Sequence, residues 1–291
     1  MCGRFASARK RQELLEEFAV QRDRVAEPLR PDYNVAPTKP VYAVVTRPRK
    51  DGQDEQEHEG EREVEHEHEG EHEDEHGGVR ELRVVRWGLV PFWAKDPSIG
   101  SRLINARAET VATKPAFRRA FARHRCLLPA DGFYEWEKSA DPKRPGKQPY
   151  YIHREDGGVL AFAGLYELWR DKDRPDDDPG SWLWTATIIT TQAEDEVGRI
   201  HDRMPMVIDP ANWADWLDPT ASSGEALHAL MMPAASAHLA TYPVSTEVNS
   251  VRHNGPGLIE PMEGESEPAG SPRAGAGERS GASGGAPSTL F

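Results

Sequence analysis

Residues 51–78 read DGQDEQEHEGEREVEHEHEGEHEDEHGG, with 14 acidic side chains against the single Arg62, and such a run cannot be packed into a core. It has almost no apolar surface to offset the entropy of ordering, and its like charges repel along its length. The run is expected to be disordered, so the fold must be built from what lies on either side. Its flanks, Val41 to Thr46 (VYAVVT) and Leu82 to Trp87 (LRVVRW), are rich in β-branched residues and read as strands. The acidic run then lengthens the loop of a hairpin.

The same run settles what the net charge means. The chain carries a formal charge of -13, and the run accounts for all of it, leaving 35 acidic and 35 basic residues elsewhere. A nucleic-acid partner is therefore not excluded by charge. The alternating Glu and His residues suggest a metal tract, but weak, adventitious binding is the expectation, and no metal or cofactor is assigned. Two cysteines, Cys2 and Cys126, offer no disulfide framework and suit a reducing compartment. No apolar run approaches the roughly 20 residues of a membrane span, and MCGRFASARK lacks the apolar core of a signal peptide. A soluble, cytoplasmic protein without a membrane partner is expected. From about Gly264 the composition turns to Gly, Ser, Ala, Pro and Glu, which predicts a flexible tail over 263–291. One domain over 1–262, interrupted at 51–78, remains.

Within that domain, Ser7 to Val20 places Leu14, Leu15 and Phe18 on one helical face, with Ser7 as N-cap. Thr113 to Arg123 reads as a second helix. Strands are expected at Arg125–Leu128, Gly132–Trp136, Tyr150–His153, Val159–Trp169, Trp182–Thr191 and Leu239–Val244, with short helices at Pro210–Leu217 and Gly224–Met231. Many strands and few helices make the fold class α+β.

Cys2 is the first residue with unusual chemistry. A residue this small after Met1 permits removal of the initiator, which leaves an amine and a thiol on one carbon frame. An α-amino group has a pKa of about 8, so part of it is unprotonated near neutrality and can attack an aldehyde to form a Schiff base. The thiol can then close a five-membered thiazolidine. Cys126, in an apolar run before Leu127 and Leu128, reads as an inert core thiol.

The motifs Met-Cys-Gly-Arg-Phe from Met1, Asn-Val-Ala-Pro-Thr from Asn34, and Arg-Trp-Gly-Leu-Val-Pro-Phe-Trp from Arg86 follow one another in order. Asn-Ala-Arg-Ala-Glu-Thr from Asn105, Arg-Cys-Leu-Leu-Pro-Ala from Arg125, Gly-Phe-Tyr-Glu-Trp from Gly132 and Ile-His-Asp-Arg-Met-Pro from Ile200 complete the set. In content and order they closely resemble the SOS-response-associated peptidase (SRAP) family, which shields abasic sites in single-stranded DNA. The resemblance spans essentially the whole folded part. It implies a mainly antiparallel, barrel-like sheet with flanking short helices. It also implies a covalent DNA-protein cross-link through Cys2, with Asn105 holding the amine, Glu135 transferring protons and His201 assisting ring opening of the sugar. Lyase-type strand scission from the Schiff-base stage is a further implied activity.

The residues themselves support these roles. Phe133, Tyr134 and Trp136 surround Glu135 with aromatic groups, where desolvation raises a carboxyl pKa. His201 sits in a loop where an imidazole can shuttle protons near pH 7. Arg4, Arg107 and Arg203 are candidate phosphate contacts, because a guanidinium grips phosphate bidentately. Trp87, Pro91, Phe92 and Trp93 read either as a platform for stacked bases or as core. Asn34 and Thr190 are further candidates for the DNA surface. The expected partner is single-stranded DNA bearing abasic sites, bound by a monomer near the nucleoid and the replication machinery. Two other readings stay open: an N-terminal-nucleophile cysteine peptidase or amidohydrolase, and a non-catalytic DNA-binding module.

Overall fold

The computed structural model describes residues 2–48, 78–138, 146–175, 177–193, 195–221, 227, 230–231 and 238–262. The acidic run except Gly78, the C-terminal tail and most of the expected Gly224–Met231 helix lie outside the described residues.

The fold starts from the hairpin. Strands β4 (Pro40–Pro48) and β5 (Gly78–Trp87) pair antiparallel, with Val41 opposite Val85 and Pro48 opposite Gly78, so the acidic run does connect two hairpin strands. Three more strands join: β7 (Arg125–Ala130), β10 (Leu160–Arg170) and β11 (Trp182–Gln192). β4 pairs with β7, β7 with β10 and β10 with β11. β11 then meets β5 in parallel, at Thr185–Arg86 and Ala186–Trp87, which closes these five strands on themselves, while the short β2 (Arg22–Asp23) pairs in parallel with Glu81 and Leu82 of β5.

Both faces of this closed sheet are buried, which is why β4, β7 and β10 read as near-continuous apolar runs rather than alternating ones. One face carries Tyr42, Val44, Leu82, Leu127, Leu165 and Ile189. It is covered by Leu14 and Phe18 of and beside α1 (Arg11–Glu17), Phe121 of α2 (Arg118–Arg123) and Trp213 and Trp216 of α4 (Trp213–Leu217). Phe18 and Trp213 stack with centroids 4.4 Å apart. The other face carries Val41, Ala43, Val45, Val85, Cys126, Leu128, Phe162 and Ile188. Against it packs a second antiparallel sheet of β1 (Phe5–Ser7), β3 (Asp32–Val35), β8 (Gly132–Lys138), β9 (Lys147–Arg154) and β13 (Leu239–Pro243), ordered β13-β9-β8-β1-β3. Phe5, Val35, Phe133 and Ile152 supply its apolar side, and Cys2 lies in the seam between the two sheets. The α+β class and the barrel-like sheet are those expected.

Two expected helices are shorter. Ser7 is a strand residue: Phe5 and Ala6 pair with Phe133 and Gly132 of β8, so the sheet takes the backbone that a capping serine would have released. Helix α1 instead starts after Lys10, without a side-chain cap. The Thr113–Arg123 helix forms only from Arg118, because Pro115 has no N–H to continue the ladder and Thr110 to Phe117 close as turns.

Candidate active site

Four short elements converge on the seam. The Tyr134 N–H donates to the Arg4 carbonyl at 3.0 Å, extending the β1–β8 pairing and bringing the residues before Phe5 alongside Glu135. Strand β6 (Asn105–Arg107) runs parallel to β11, with Asn105 opposite Ile188. Helix α3 (Asp195–Ile200) ends at the loop that carries His201, and β12 (Arg203–Pro205) returns along the end of β11, with Arg203 opposite Gln192. β11 thus holds the Asn105 strand and the His201 loop in fixed relation to each other.

The contacts are specific. Cys2 is fully buried, and its Sγ lies 3.9 Å from the Arg4 carbonyl. The Asn105 Nδ2 donates to the Cys2 carbonyl at 2.7 Å, while its Oδ1 is buried without a hydrogen-bond partner among the described residues. An unsatisfied buried acceptor normally costs about 1–3 kcal/mol, so a donor that reached this oxygen would be held there. Burial pushes the Cys2 thiol far above its ordinary range, and Glu135 adds to the rise. Burial also raises the Glu135 carboxyl to about 7, against the opposing positive charge of the amino terminus. His201 is pushed below its usual value, first by burial and then by the amino terminus. Its Nδ1 lies 3.0 Å from both the Arg203 backbone nitrogen and the Asp202 carboxylate, which hold the ring between them. Cys2, Glu135 and His201 all feel the charge of the amino terminus, and Asn105 is tied to the Cys2 backbone, so the site holds a protonated thiol, a carboxyl poised near neutrality and a neutral imidazole.

The expected DNA-contact residues divide. Arg107 is exposed on β6, and Phe92 and Trp93 are half exposed on the turn after β5, with Arg119 over the Phe92 ring at 4.1 Å. Asn34, Trp87 and Thr190 are fully enclosed, and Pro91 is buried, so none of the four offers a side chain to a strand. Trp87 settles as core: its Nε1 donates to the Ile104 carbonyl at 2.9 Å, and its ring meets Phe5 edge-on at 5.1 Å. The adjoining Gly88 has φ 123°, and a Cβ there would lie 2.6 Å from the Gly100 carbonyl oxygen, so only glycine turns the chain at this point. Asn34 is a structural tie, donating to the carbonyls of Val248, Ser250 and His253 and accepting from Arg4 at 2.7 Å. Arg4 also donates to the Val248 carbonyl, so it anchors the same loop while reaching the site. Arg203 is mostly covered and held by Glu109 and Thr190.

A depression of about 370 Å³ beside the site is lined by Arg4, Trp136, Lys147 and Asn249. Lys147 acts on both Glu135 and His201 through its charge. Trp136, in the Gly132–Trp136 motif, was visible in sequence only as part of an aromatic setting. Lys147 carried no local signal, because β8–β9 pairing alone brings it over.

The SOS response associated peptidase (SRAP) family matches residues 1–251 of the chain. Among relatives, the abasic site processing protein YoqW of Bacillus subtilis is 36% identical over 260 residues, covering 89% of this chain and 99% of that protein. The abasic site processing protein YedK of Escherichia coli is 32% identical, covering 90% of this chain and 100% of its own. The fold matches a crystal structure of a Bacteroides thetaiotaomicron protein with a TM-score of 0.67 at 24% identity, over 90% of this chain and 100% of that one. With its seven motifs in order and its length matched almost throughout, the chain belongs to the SOS response associated peptidase family.

Proposed function

We propose that this protein captures abasic sites in single-stranded DNA as a covalent thiazolidine, formed by the amine and thiol of Cys2 after Met1 is removed. The observation that carries the reading is the buried Asn105 Oδ1, which lacks a partner among the described residues although the same amide already grips the Cys2 carbonyl. An amino group on Cys2 would supply the missing donor and be aimed by it. The relatives' names, abasic site processing proteins, point the same way.

The chemistry follows from the protonation states. The abasic deoxyribose opens when its 1′-hydroxyl loses a proton and its ring oxygen gains one, a relay suited to a neutral imidazole, which can take a proton on one nitrogen and give one from the other. The Cys2 amine then adds to the C1′ aldehyde. Glu135, with its carboxyl raised to about 7, donates the proton that carries the carbinolamine oxygen away as water. The thiol adds to the resulting C1′=N bond, its proton passing to nitrogen, and the ring closes with one water lost overall. Keeping the thiol protonated until that last step is consistent with its burial. A peptidase nucleophile needs a thiolate at the outset, which this burial opposes. Lyase-type scission branches from the Schiff base before the thiol closes the ring.

The test is a denaturing gel of purified protein incubated with a single-stranded oligonucleotide bearing one abasic site. A slow-migrating product forms with the wild type and not with Cys2→Ala or a form extended at the N-terminus. Persistence of that product with the extended form would overturn the amine mechanism.

A further inference from the structure

Arg203 stands next to the site, its backbone N–H fixing His201, yet its guanidinium is already occupied. Nη1 and Nη2 both donate to the two carboxylate oxygens of Glu109, the second at 3.1 Å. Nη2 also donates to the Thr190 carbonyl at 2.5 Å and to its Oγ1 at 3.2 Å. The side chains differ in exposure, 13% for Arg203 against 53% for Glu109, so the carboxylate covers the guanidinium on its solvent side. Arg107, exposed and two residues along the chain, also acts on Glu109 through its charge. A carboxylate and a phosphate present the same paired oxygens to a guanidinium fork.

We propose that Glu109 is a specificity-determining residue: it takes the place of a DNA phosphate on Arg203 in the free protein and so limits retention of intact strands. The inference rests on the reading that the site receives a single strand. An incoming phosphate must displace Glu109 and lie beside Arg107 and Arg203, so part of its attraction offsets the broken ion pair. An intact strand is held by charge and stacking alone and bears that cost in full. An abasic strand bears the same cost at encounter but is then kept by a covalent bond. The carboxylate thus lowers background occupancy without limiting the final yield of captured lesion. The Arg203 bonds hold the Glu109 carboxyl below its usual range, so it stays charged across physiological pH.

The experiment is fluorescence anisotropy with a labelled, undamaged single-stranded oligonucleotide over a series of salt concentrations, beside cross-linking of the abasic strand. Glu109→Gln should bind the intact strand about threefold to tenfold more tightly, a gain of up to about 1.4 kcal/mol. One added phosphate contact should steepen the plot of log affinity against log salt by about 0.7. The gain should vanish when Arg203→Ala is combined with it, and Glu109→Asp, charged but shorter, should fall between wild type and Glu109→Gln. Equal or weaker binding by Glu109→Gln, or a gain that survives Arg203→Ala, overturns the inference. A wild type that binds intact strands but leaves no covalent product on abasic ones sinks the capture reading instead, and the Glu109 comparison still stands or falls by itself.

Discussion

The two cysteines are equally buried, and both belong to the apolar cluster between the sheets. Burial pushes both thiols well above their ordinary range. Around Cys126, on β7 between Val45 and Gly164, burial acts alone. Gly164 leaves it space, since a Cβ there would sit 2.8 Å from the sulfur. Around Cys2 stand the Asn105 amide and the ionisable group of Glu135. Exposure therefore does not distinguish the two cysteines; polar neighbours do.

The widest gap should appear when each cysteine is replaced. Cys2→Ala keeps the amine but has no sulfur to close the ring, so heat-stable product should fall at least about 100-fold, while borohydride should still trap a Schiff base. Cys126→Ala should capture abasic DNA as well as the wild type and show its effect in thermal unfolding, at about 1–2 kcal/mol for a small core cavity. Full capture by Cys2→Ala, or lost capture in a folded Cys126→Ala, would break the comparison.

Glu135 sharpens it. Another buried carboxylate, Glu81, is ringed by Arg22, Arg24 and Arg83 at 2.8 to 3.9 Å, whereas burial dominates at Glu135 and lifts its carboxyl to about 7. The proton-donating form of Glu135 is thus present below pH 7 and lost above it. Glu135→Gln should slow cross-linking about 100-fold, the ordinary scale of general acid catalysis. Above pH 7 the wild-type rate should fall about tenfold per pH unit relative to the variant, because only the wild type loses its acid there. Single-turnover rates from pH 5.5 to 8.5 give both numbers, and parallel profiles would remove Glu135 from the proton path.

What could be read from the sequence was what is local. The runs Val41 to Thr46 and Leu82 to Trp87 carry β-branched and other apolar residues on both faces and flank the acidic run, so composition sufficed to find a hairpin across it. Three-residue strands such as β6 and β12 exist only because β11 supplies their hydrogen bonds, and no periodicity announces them. The parallel join of β5 to β11, about 100 residues apart along the chain, has no local signature either. Ser7 is a capping residue by type, but sheet pairing outcompeted the helix. At the site, motif order singled out Cys2, Asn105, Glu135 and His201, and the fold brings those four together. Trp87, standing among exposed aromatics in one motif, looked as fit for stacking as for packing until the core closed over it.

Asn34 and Asn105 show that limit most clearly, since each opens a motif and has an alanine within two residues after it. The Asn34 amide is satisfied on every side, by three loop carbonyls and the Arg4 guanidinium. Asn34→Ala should therefore cost about 2–4 kcal/mol, since it strands buried carbonyls and part of a charge. The Asn105 amide has one satisfied end and one open end, so Asn105→Ala removes a hydrogen bond and relieves an unsatisfied acceptor together. Stability should then change by less than about 1 kcal/mol. The loss should appear in function: with nothing to aim the amine, the cross-linking rate should drop about tenfold, the worth of one hydrogen bond of about 1.4 kcal/mol to the reacting group. Melting curves and capture rates of the two variants should rank in opposite orders. If Asn105→Ala melts as early as Asn34→Ala, its open oxygen is packing rather than preparation, and the assignment of the amine's partner fails with it.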